Sequence, residues 1–393
     1  MITLQTIIDQ VKDFASLFNI EESSNERIIR AINRATEYYQ RKLGLPCCEF
    51  TQEVDYYGEL KVPVNDDVNE IISLTFYDEE KNNENNEFVY IPDVDLIQQA
   101  GNSARKNLVS FGIVDGIKTL YIKPARGFEN SETTIESFDN FATSANISAI
   151  LSASTDISSI TGENDEQNYK EGEASLFLEI TASSETPKLV IPVVDEIAMT
   201  GLATYKDAFT VWVYLDEKSK DYLSAVKLLY TENSVDYSIN GSFYFPKKVG
   251  WNLIKFNLRD VENFDYENLL NVKLEFDFSG VTESFKMNVD YLCYRIPERL
   301  ILRYYTNYKG KDESGNYITE FSSSTDIPLF AGIADDLILP IALKAALFLS
   351  PQLKSNPDFV NFYNVEAKDT ILQIGRTYPR KRFINYGKIK FEK

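Results

Sequence analysis

The stretch LILPIALKAALFLSPQLKSNPDF, Leu337 to Phe359, decides how this chain is put together. Its first thirteen residues carry one charge, Lys344, in a chain whose formal net charge is -20. A bilayer span needs about 20 consecutive apolar residues, whereas this run is interrupted by Pro340 and stopped at Ser350-Pro351. It is too short to cross a membrane. A helix apolar over most of its circumference is expected to be buried on several sides, and two burials are open: inside its own core, or against a neighbouring subunit.

Working outward, Asn356 and Pro357 stand as cap and first-turn proline of a second helix, with Phe359, Phe362, Tyr363, Ala367, Ile371 and Ile374 on one face and Gly375 past its end. Asp335-Asp336 fall in the first turn of the apolar helix, where acids complement the dipole. Upstream, RIPERLILRYYTNYKGKDESGNYITEF, Arg295 to Phe321, reads as an extended apolar segment and a hairpin-like turn over Gly310 to Asn316. The other end of the chain answers with two more helices. In Thr3 to Phe18, Leu4, Ile7, Ile8, Val11, Phe14, Ala15 and Phe18 recur at helical spacing behind a Thr3 cap. In Ser23 to Pro46, Ser23 and Glu26 have capping-box spacing, Ile28, Ile29, Ile32, Ala35 and Tyr39 form a stripe, and Gly44 and Pro46 close the element. Two terminal helix pairs, each too short to be stable alone, are expected to pack together as one discontinuous domain, with everything between them inserted.

From about Phe50 the apolar period shortens to that of strands. Residues 51–128 predict a small mixed β module that includes an Asp115-Gly116 hairpin turn. Its polar spacer KNNENNE precedes FVYIPDVDLIQQAG. Residues 128–165, rich in Ser, Thr, Asn and Asp, predict a long surface connection with a few short strands. Then ASLFLEITA, PKLVIPVV, AFTVWVYLD, AVKLLYTE, GSFYFPKKV, WNLIKFNL, NVKLEFDFS and KMNVDYLCYR follow one another with turn signals between them. That spacing predicts a jelly-roll-like antiparallel β-sandwich. The expected fold class is therefore α+β and multidomain: a helical domain over 1–50 and 297–375, a mixed β module over 51–128, a sandwich over 129–296 and a basic tail over 376–393.

Composition narrows the chemistry. Histidine is absent, which removes the usual general base near neutral pH and the Ser-His and Cys-His pairs. Cys47, Cys48 and Cys293 make no disulfide framework and no zinc-ligand spacing, so free thiols are expected. The acidic clusters Asp66-Asp67, Asp78 to Glu80 and Asp165-Glu166 do not follow the calcium-loop pattern and read as solvated surface. No phosphate-cradling glycine loop occurs. Two carboxylates suffice for glycoside hydrolysis, but no pair is singled out, so no catalytic residue, metal or cofactor is expected. Among the sandwich aromatics, Trp212 reads as core, and Trp251 with Tyr244 as a platform for a sugar or a partner. No secretory signal is visible at the amino terminus, and synthesis in a cytoplasm is the expectation.

Charge is unevenly spread. Residues 376–393 hold seven basic residues against one acid, a surplus of +6 that leaves -26 for the rest. A basic tail on an acidic body is expected to be a docking feature.

The segment ERIIRAINRATEYYQRKLGLP resembles the second helix of head-to-tail adaptor (connector) proteins of tailed bacteriophages. LRYYTNYKGKDESGNY followed by IPLFAGIADDLILPIALKAALFL is similar to that family's tyrosine-bearing strand, its turn and the entry to its hydrophobic helix. The resemblance covers 1–50 and 297–375, about a third of the chain. It implies a homo-oligomeric ring, usually of twelve subunits, at the neck of the virion. That ring binds beneath the portal protein, meets tail or second neck-ring proteins, and continues a channel for packaged DNA without sequence recognition. It implies, too, a portal-docking tail, here Arg376, Arg380, Lys381, Arg382, Phe383, Tyr386, Lys388 and Lys390. The core or oligomer helix would be that of Leu337, Ile341, Leu343, Ala346 and Leu347. An acidic channel wall would let DNA slide. Several sandwich strands are similar to carbohydrate-binding modules, which leaves a carbohydrate-binding or adhesion protein as the alternative.

Overall fold

The computed structural model describes residues 2–18, 23–57, 59–76, 88–91, 107–123, 132–198, 208–232, 234–258, 268–295 and 297–381. The chain divides into two compact units. The first comprises Met1–Val54, Glu59–Gly127 and Arg299–Lys393; the second comprises Asp55–Gly58 and Phe128–Glu298. The spacer 81–87 and residues 92–101 of the segment after it lie outside the described residues.

In the first unit, α1 (Leu4–Leu17) and α2 (Asn25–Gln40) from one end of the chain meet α5 (Ile338–Leu349), α6 (Pro357–Phe362) and α7 (Lys368–Thr377) from the other. The apolar helix α5 packs on both α1 and α2. It buries Pro340, Ile341, Ala342, Leu343, Ala345 and Ala346, and shares a core with Ala31 and Ala35 of α2. Small side chains on facing helices let the backbones approach closely. Helix α1 adds Leu4, Ile7, Ile8 and Val11, all fully buried, and meets α6 through edge-on aromatic pairs, Phe14 with Phe362 at 5.7 Å and Phe18 with Phe359 at 5.1 Å. Asn33 clasps the Phe321 backbone from α2, donating to its carbonyl at 3.0 Å and accepting from its N–H at 2.9 Å.

Three small sheets complete this unit. β1 (Glu49–Tyr56), β18 (Glu298–Thr306) and β3 (Val68–Phe76) form one, in that order. β2 (Lys61–Pro63), β6 (Ile117–Lys123), β5 (Leu108–Val114) and β4 (Val89–Tyr90) form another. The third joins β20 (Tyr317–Ile318), β19 (Gly310–Lys311) and β21 (Ile327–Pro328). Asp115 and Gly116, with φ of 51° and 84°, close the β5–β6 hairpin in the left-handed conformation that a two-residue turn requires.

Several helix ends differ from the sequence reading. Thr3 is the N-cap of α1 without a side-chain bond. Helix α2 starts at Asn25 behind Ser24, which puts Glu26 at the second helical position, where it cannot close a capping box with Ser23. Asp335-Asp336 form a separate 3₁₀ turn, and Asp335 accepts from the Gly332 N–H at 2.6 Å instead of opening α5. Gly375 lies inside α7, because a π turn at Tyr363–Ala367 joins α6 to α7 and the helix runs on to Thr377.

The second unit is an antiparallel β-sandwich. Its larger sheet orders β14 (Ser242–Phe243), β15 (Gly250–Asn257), β11 (Ala208–Leu215), β17 (Phe285–Arg295), β9 (Ser175–Ala182) and β8 (Ile157–Asp165), with β7 (Glu132–Glu136) also paired to β17. Its smaller sheet orders β10 (Lys188–Ala198), β16 (Asn268–Phe278), β12 (Leu223–Glu232) and β13 (Val235–Asn240). Alternation puts Phe209, Val211, Val213 and Leu215 of β11 into the core with Leu176, Leu178, Phe256, Leu274 and Phe276. The region 128–165 is not a mere connection: it supplies β7, β8 and α3 (Ser144–Ala153), capped by Thr143 and anchored by the fully buried Ile150. Its polar composition reflects a cap and an edge strand. GSFYFPKKV contributes only β14, and β13 falls between two strands that the sequence suggested. A short α4 (Glu217–Tyr222) links β11 to β12.

Candidate functional site

The outer face of the large sheet carries the densest polar chemistry. On β11, Thr210, Trp212 and Tyr214 point away from the core, opposite Lys255, Leu253 and Trp251 of β15. A bulge in β17 at Tyr291, whose φ is 48°, sets Asp290 opposite Trp212 and Cys293 opposite Thr210. The extra residue restores the alternation, so Val289, Leu292 and Tyr294 all still reach the core.

The segment 166–174 lies across this face and is pinned by three aspartates, each accepting two backbone N–H groups. Asp165 takes those of Gln167 and Asn168, both at 3.0 Å. Asp290 takes Lys170 at 2.7 Å and Glu171 at 3.0 Å, and Asp139 takes Glu173 at 2.7 Å and Ala174 at 2.8 Å. Held this way, Glu171 accepts from Arg295 Nη2 at 2.8 and 3.0 Å and from the Trp212 indole at 2.7 Å, while the Lys170 ammonium sits 4.5 Å from the Trp212 ring centre. Trp212 is 6% exposed and Arg295 3%. This is an ion pair between a buried guanidinium and a half-buried carboxylate on the strap, and Trp212 serves packing.

Asp290 is fully buried, and among the described residues its second oxygen has no hydrogen-bond partner. Burial pushes its carboxyl up to about 6, helped by the neighbouring Asp139 and Glu171 and opposed by the two N–H bonds. A carboxyl raised on folding makes ionisation costly to the folded state above that pH, and the cost disappears as pH falls toward the unfolded value. Asp290→Asn keeps an acceptor for the two N–H groups and removes the titration. Thermal melts should therefore show the wild type gaining on Asp290→Asn between pH 7 and 5, by at most about 1.4 kcal/mol. Parallel curves would contradict this.

Trp251 is half-buried on the same face. Its indole donates to Asn168 Oδ1 at 3.2 Å, and its ring meets Tyr214 edge-on at 5.6 Å. Asn252 rigidifies the turn before it, donating to the carbonyls of Lys248 and Gly250 at 2.8 Å and accepting from Lys248 N–H at 3.0 Å. Tyr244 does not join this shelf. It is 7% exposed, its hydroxyl donates to the Asp55 carbonyl at 3.4 Å, and its ring packs edge-on against Tyr57, so the expected pairing of Tyr244 with Trp251 is replaced by Tyr214 and Asn168. Strand alternation on β11 was the available signal for Tyr214; Asn168 left none.

In the first unit, Leu337, Ile341, Leu343 and Ala346 are buried within the unit's own core, and Leu347 is half-buried. The basic tail is a correction. Arg376 is exposed on α7, but Arg380 is fastened: Nε and Nη2 bond Glu70 Oε2 at 3.1 and 2.5 Å, Nη1 bonds the carbonyls of Gln40 and Leu43, and the guanidinium lies 4.3 Å from the Tyr305 ring centre. Lys381 donates its N–H to Tyr305 at 2.9 Å and its ammonium to Glu49 at 2.7 Å. Gly44 has no room for a side chain, since a Cβ there would stand 2.4 Å from the Pro379 carbonyl oxygen. Arg380 and Lys381 thus root the tail in this unit, because carboxylates and bare carbonyls lie within reach. Arg382, Phe383, Tyr386, Lys388 and Lys390 lie outside the described residues.

The acidic clusters resolve locally. Asp67 is buried and accepts from Tyr304 at 2.8 Å and Thr306 at 3.1 Å, so it is a core acceptor and not solvated surface. Asp78 to Glu80 lie outside the described residues. Among the described residues, no group of three or more Cys, Asp or Glu is placed to hold a metal ion. The charge divides by unit: the sandwich unit has 13 Lys and Arg against 30 Asp and Glu, or -17, while the helical unit has 27 against 30, or -3. The acidic body of the sequence reading is the sandwich.

No protein-family model matches the chain, and no curated protein does. Among solved structures, similarity is found to an exo-beta-agarase, at 10% identity and a TM-score of 0.28 over 41% of this chain and 24% of that one. A family 30 carbohydrate-binding module matches at 15% identity and 0.25, over 36% of this chain and 90% of the module. The xylan-binding domain of Xyn10C from Paenibacillus barcinonensis matches at 11% and 0.25, over 41% and 92%. The chain spans about a quarter of the agarase. Likenesses this partial carry no argument about what this chain binds.

Proposed function

We propose that this chain is a structural subunit whose helical unit assembles in the manner of the phage head-to-tail adaptors and whose inserted β-sandwich is a second, separate binding unit. One observation carries the reading: the two sequence-distant segments that resemble those adaptors share a single core, running from Leu4 of α1 through Leu343 of α5 to Ile374 of α7. In this reading the subunits close into a ring through a repeated heterologous contact. The ring sits at the virion neck between portal and tail, continues the DNA channel, and reaches the portal with residues 382–393, beyond the root at Arg380. The fastened root supports such an arm, because it lowers the entropy of placing the arm.

The test is the mass of the purified chain, with and without the portal of the same virus, by light scattering and negative-stain imaging. A ring, or a monomer that forms a ring on the portal and fails to do so without residues 382–393, is the expected result. A monomer indifferent to the portal would sink the reading.

A second reading, carbohydrate binding by the sandwich, is favoured by one arrangement: Trp251, Tyr214 and Asn168 form a rigid aromatic and amide shelf. Sugar rings stack on such faces while amides meet their hydroxyls. Retention on a glycan array that drops at least about tenfold in Trp251→Ala, the loss of about 1.4 kcal/mol, is the outcome this reading requires. Retention unchanged by Trp251→Ala would remove the shelf from the account.

A further inference from the structure

Lys344, the one charge in the apolar stretch of α5, stands in a row of alternating cations and rings. The Arg34 guanidinium lies 4.7 Å from the Phe348 ring centre, and Lys344 Nζ lies 5.5 Å from that ring and 4.0 Å from the ring of Tyr38. Lys42 Nζ also lies 4.3 Å from the Tyr38 ring and donates to its hydroxyl at 2.5 Å. The row therefore runs Arg34, Phe348, Lys344, Tyr38, Lys42 along the seam of α2 and α5. The nearby acids are engaged elsewhere, Glu37 by Arg41 at 2.5 Å and Glu26 by Arg30 at 3.7 Å. Among the described residues, Arg34, Lys42 and Lys344 bond no carboxylate. Arg27, two turns before Arg34, is exposed on α2 as well. From Arg27 to its end at Gln40 the helix rises about 20 Å, and Lys42 lies in the turn that follows.

In a chain of net charge -20, a row of cations without acidic partners marks a surface for a polyanion. We propose that the row of Arg34, Lys344 and Lys42 is the surface with which this chain touches the phosphate backbone of duplex DNA. The cations are pre-positioned by the rings beneath them, and the lowered hydroxyl pKa of Tyr38 reflects the same positive field, chiefly its bond from Lys42. Phosphate rather than a protein surface fits what the row lacks. None of the unit's exposed large apolar side chains lies on α2 or α5, whereas a stable protein interface needs an apolar centre. Backbone contact needs only fixed cations that release counterions. A few cations on an acidic protein give a weak, salt-sensitive contact, suited to a strand that moves past. The inference rests on the conduit reading for the identity of the polyanion.

The experiment is fluorescence anisotropy of a labelled short duplex with the full chain at about 50 and 200 mM salt. Three neutralised phosphates predict an affinity about 40-fold lower at the higher salt. Arg34→Gln/Lys42→Gln/Lys344→Gln should lose binding at the lower salt, while Lys12→Gln/Lys354→Gln/Lys368→Gln, the same charge loss elsewhere on the unit, should bind within about twofold of wild type. Should the first variant melt abnormally, Arg34→Gln/Lys42→Gln, confined to exposed positions on α2 and the turn after it, carries the test. Wild type that binds no duplex at 50 mM, or equal losses in both variants, would overturn the proposal. Self-association lost in the first variant with duplex binding intact would overturn it too, and assign the row to a protein. Ring formation by the first variant on the portal separates the two readings: a ring that no longer binds DNA supports the row and leaves the assembly reading standing.

Discussion

Leu343→Asp is expected to prevent folding of the helical unit. Leu343 is fully buried in α5, between helices from both ends of the chain. The substitution removes a buried leucine, about 2 to 3 kcal/mol of apolar transfer, and places a carboxylate inside a cluster of buried apolar side chains. Together these cost about 5 kcal/mol or more, against a typical total stability of about 5 to 15 kcal/mol. Ala346→Glu, at another fully buried position, should behave alike. The sandwich core contains none of these residues. Limited proteolysis of Leu343→Asp should therefore digest the helical segments and leave a resistant fragment from the second unit. A variant with the wild-type helical signal and a wild-type melt would show that α5 is not the centre of that unit.

Glu171→Ala should be the most damaging single change in the sandwich outside its apolar core. Its side chain neutralises Arg295, whose own side chain is 4% exposed, and accepts from the Trp212 indole. Removing it takes from a buried guanidinium the carboxylate that it bonds twice, and breaking one side of a buried pair costs up to about 3 to 5 kcal/mol. For a unit of this size that is a melting temperature lower by about 10 °C. The informative comparison is Glu171→Ala/Arg295→Met. With the buried guanidinium also removed, the double variant should recover part of the loss, because a buried charge costs desolvation that the carboxylate offsets. Additive losses in the two single variants would mean that the strap over Trp212 is held by the three aspartates alone.

How far each element was legible depended on the range of the interactions that define it. The stripes of α1, α2 and α6, the Asn356-Pro357 helix start, the Asp115-Gly116 turn and the sandwich strands on β9 to β12 and β15 to β17 all report local periodicity or local backbone preference. Helix α3 was missed because its serines and asparagines read as loop, while its reason for being helical, the packing of its own Ile150 into the sandwich core, depends on residues distant in the chain. Gly375 suggested a helix end that the π turn at Tyr363–Ala367 carried past it. Within the candidate sites, Trp251 was visible by type alone. Its partners were not: Asn168 is 83 residues away, and Arg295 and Glu171 are 124 residues apart. The fastening of Arg380 to Glu70, 310 residues apart, is likewise a meeting that no window of sequence contains.

By itself, the sequence determined where this chain is helical and where it is extended over most of its described length, that it lacks histidine chemistry, and that Leu337 to Leu349 must be buried, because periodicity, composition and hydropathy are local properties. Tertiary structure alone decided what buries that helix, which aromatic rings remain at the surface, which carboxylates are spent on backbone N–H groups, and that Lys344 joins a row of cations. Those outcomes depend on side chains far apart in sequence meeting at hydrogen-bond and van der Waals distances, and a charge or a ring takes its role from what it meets there.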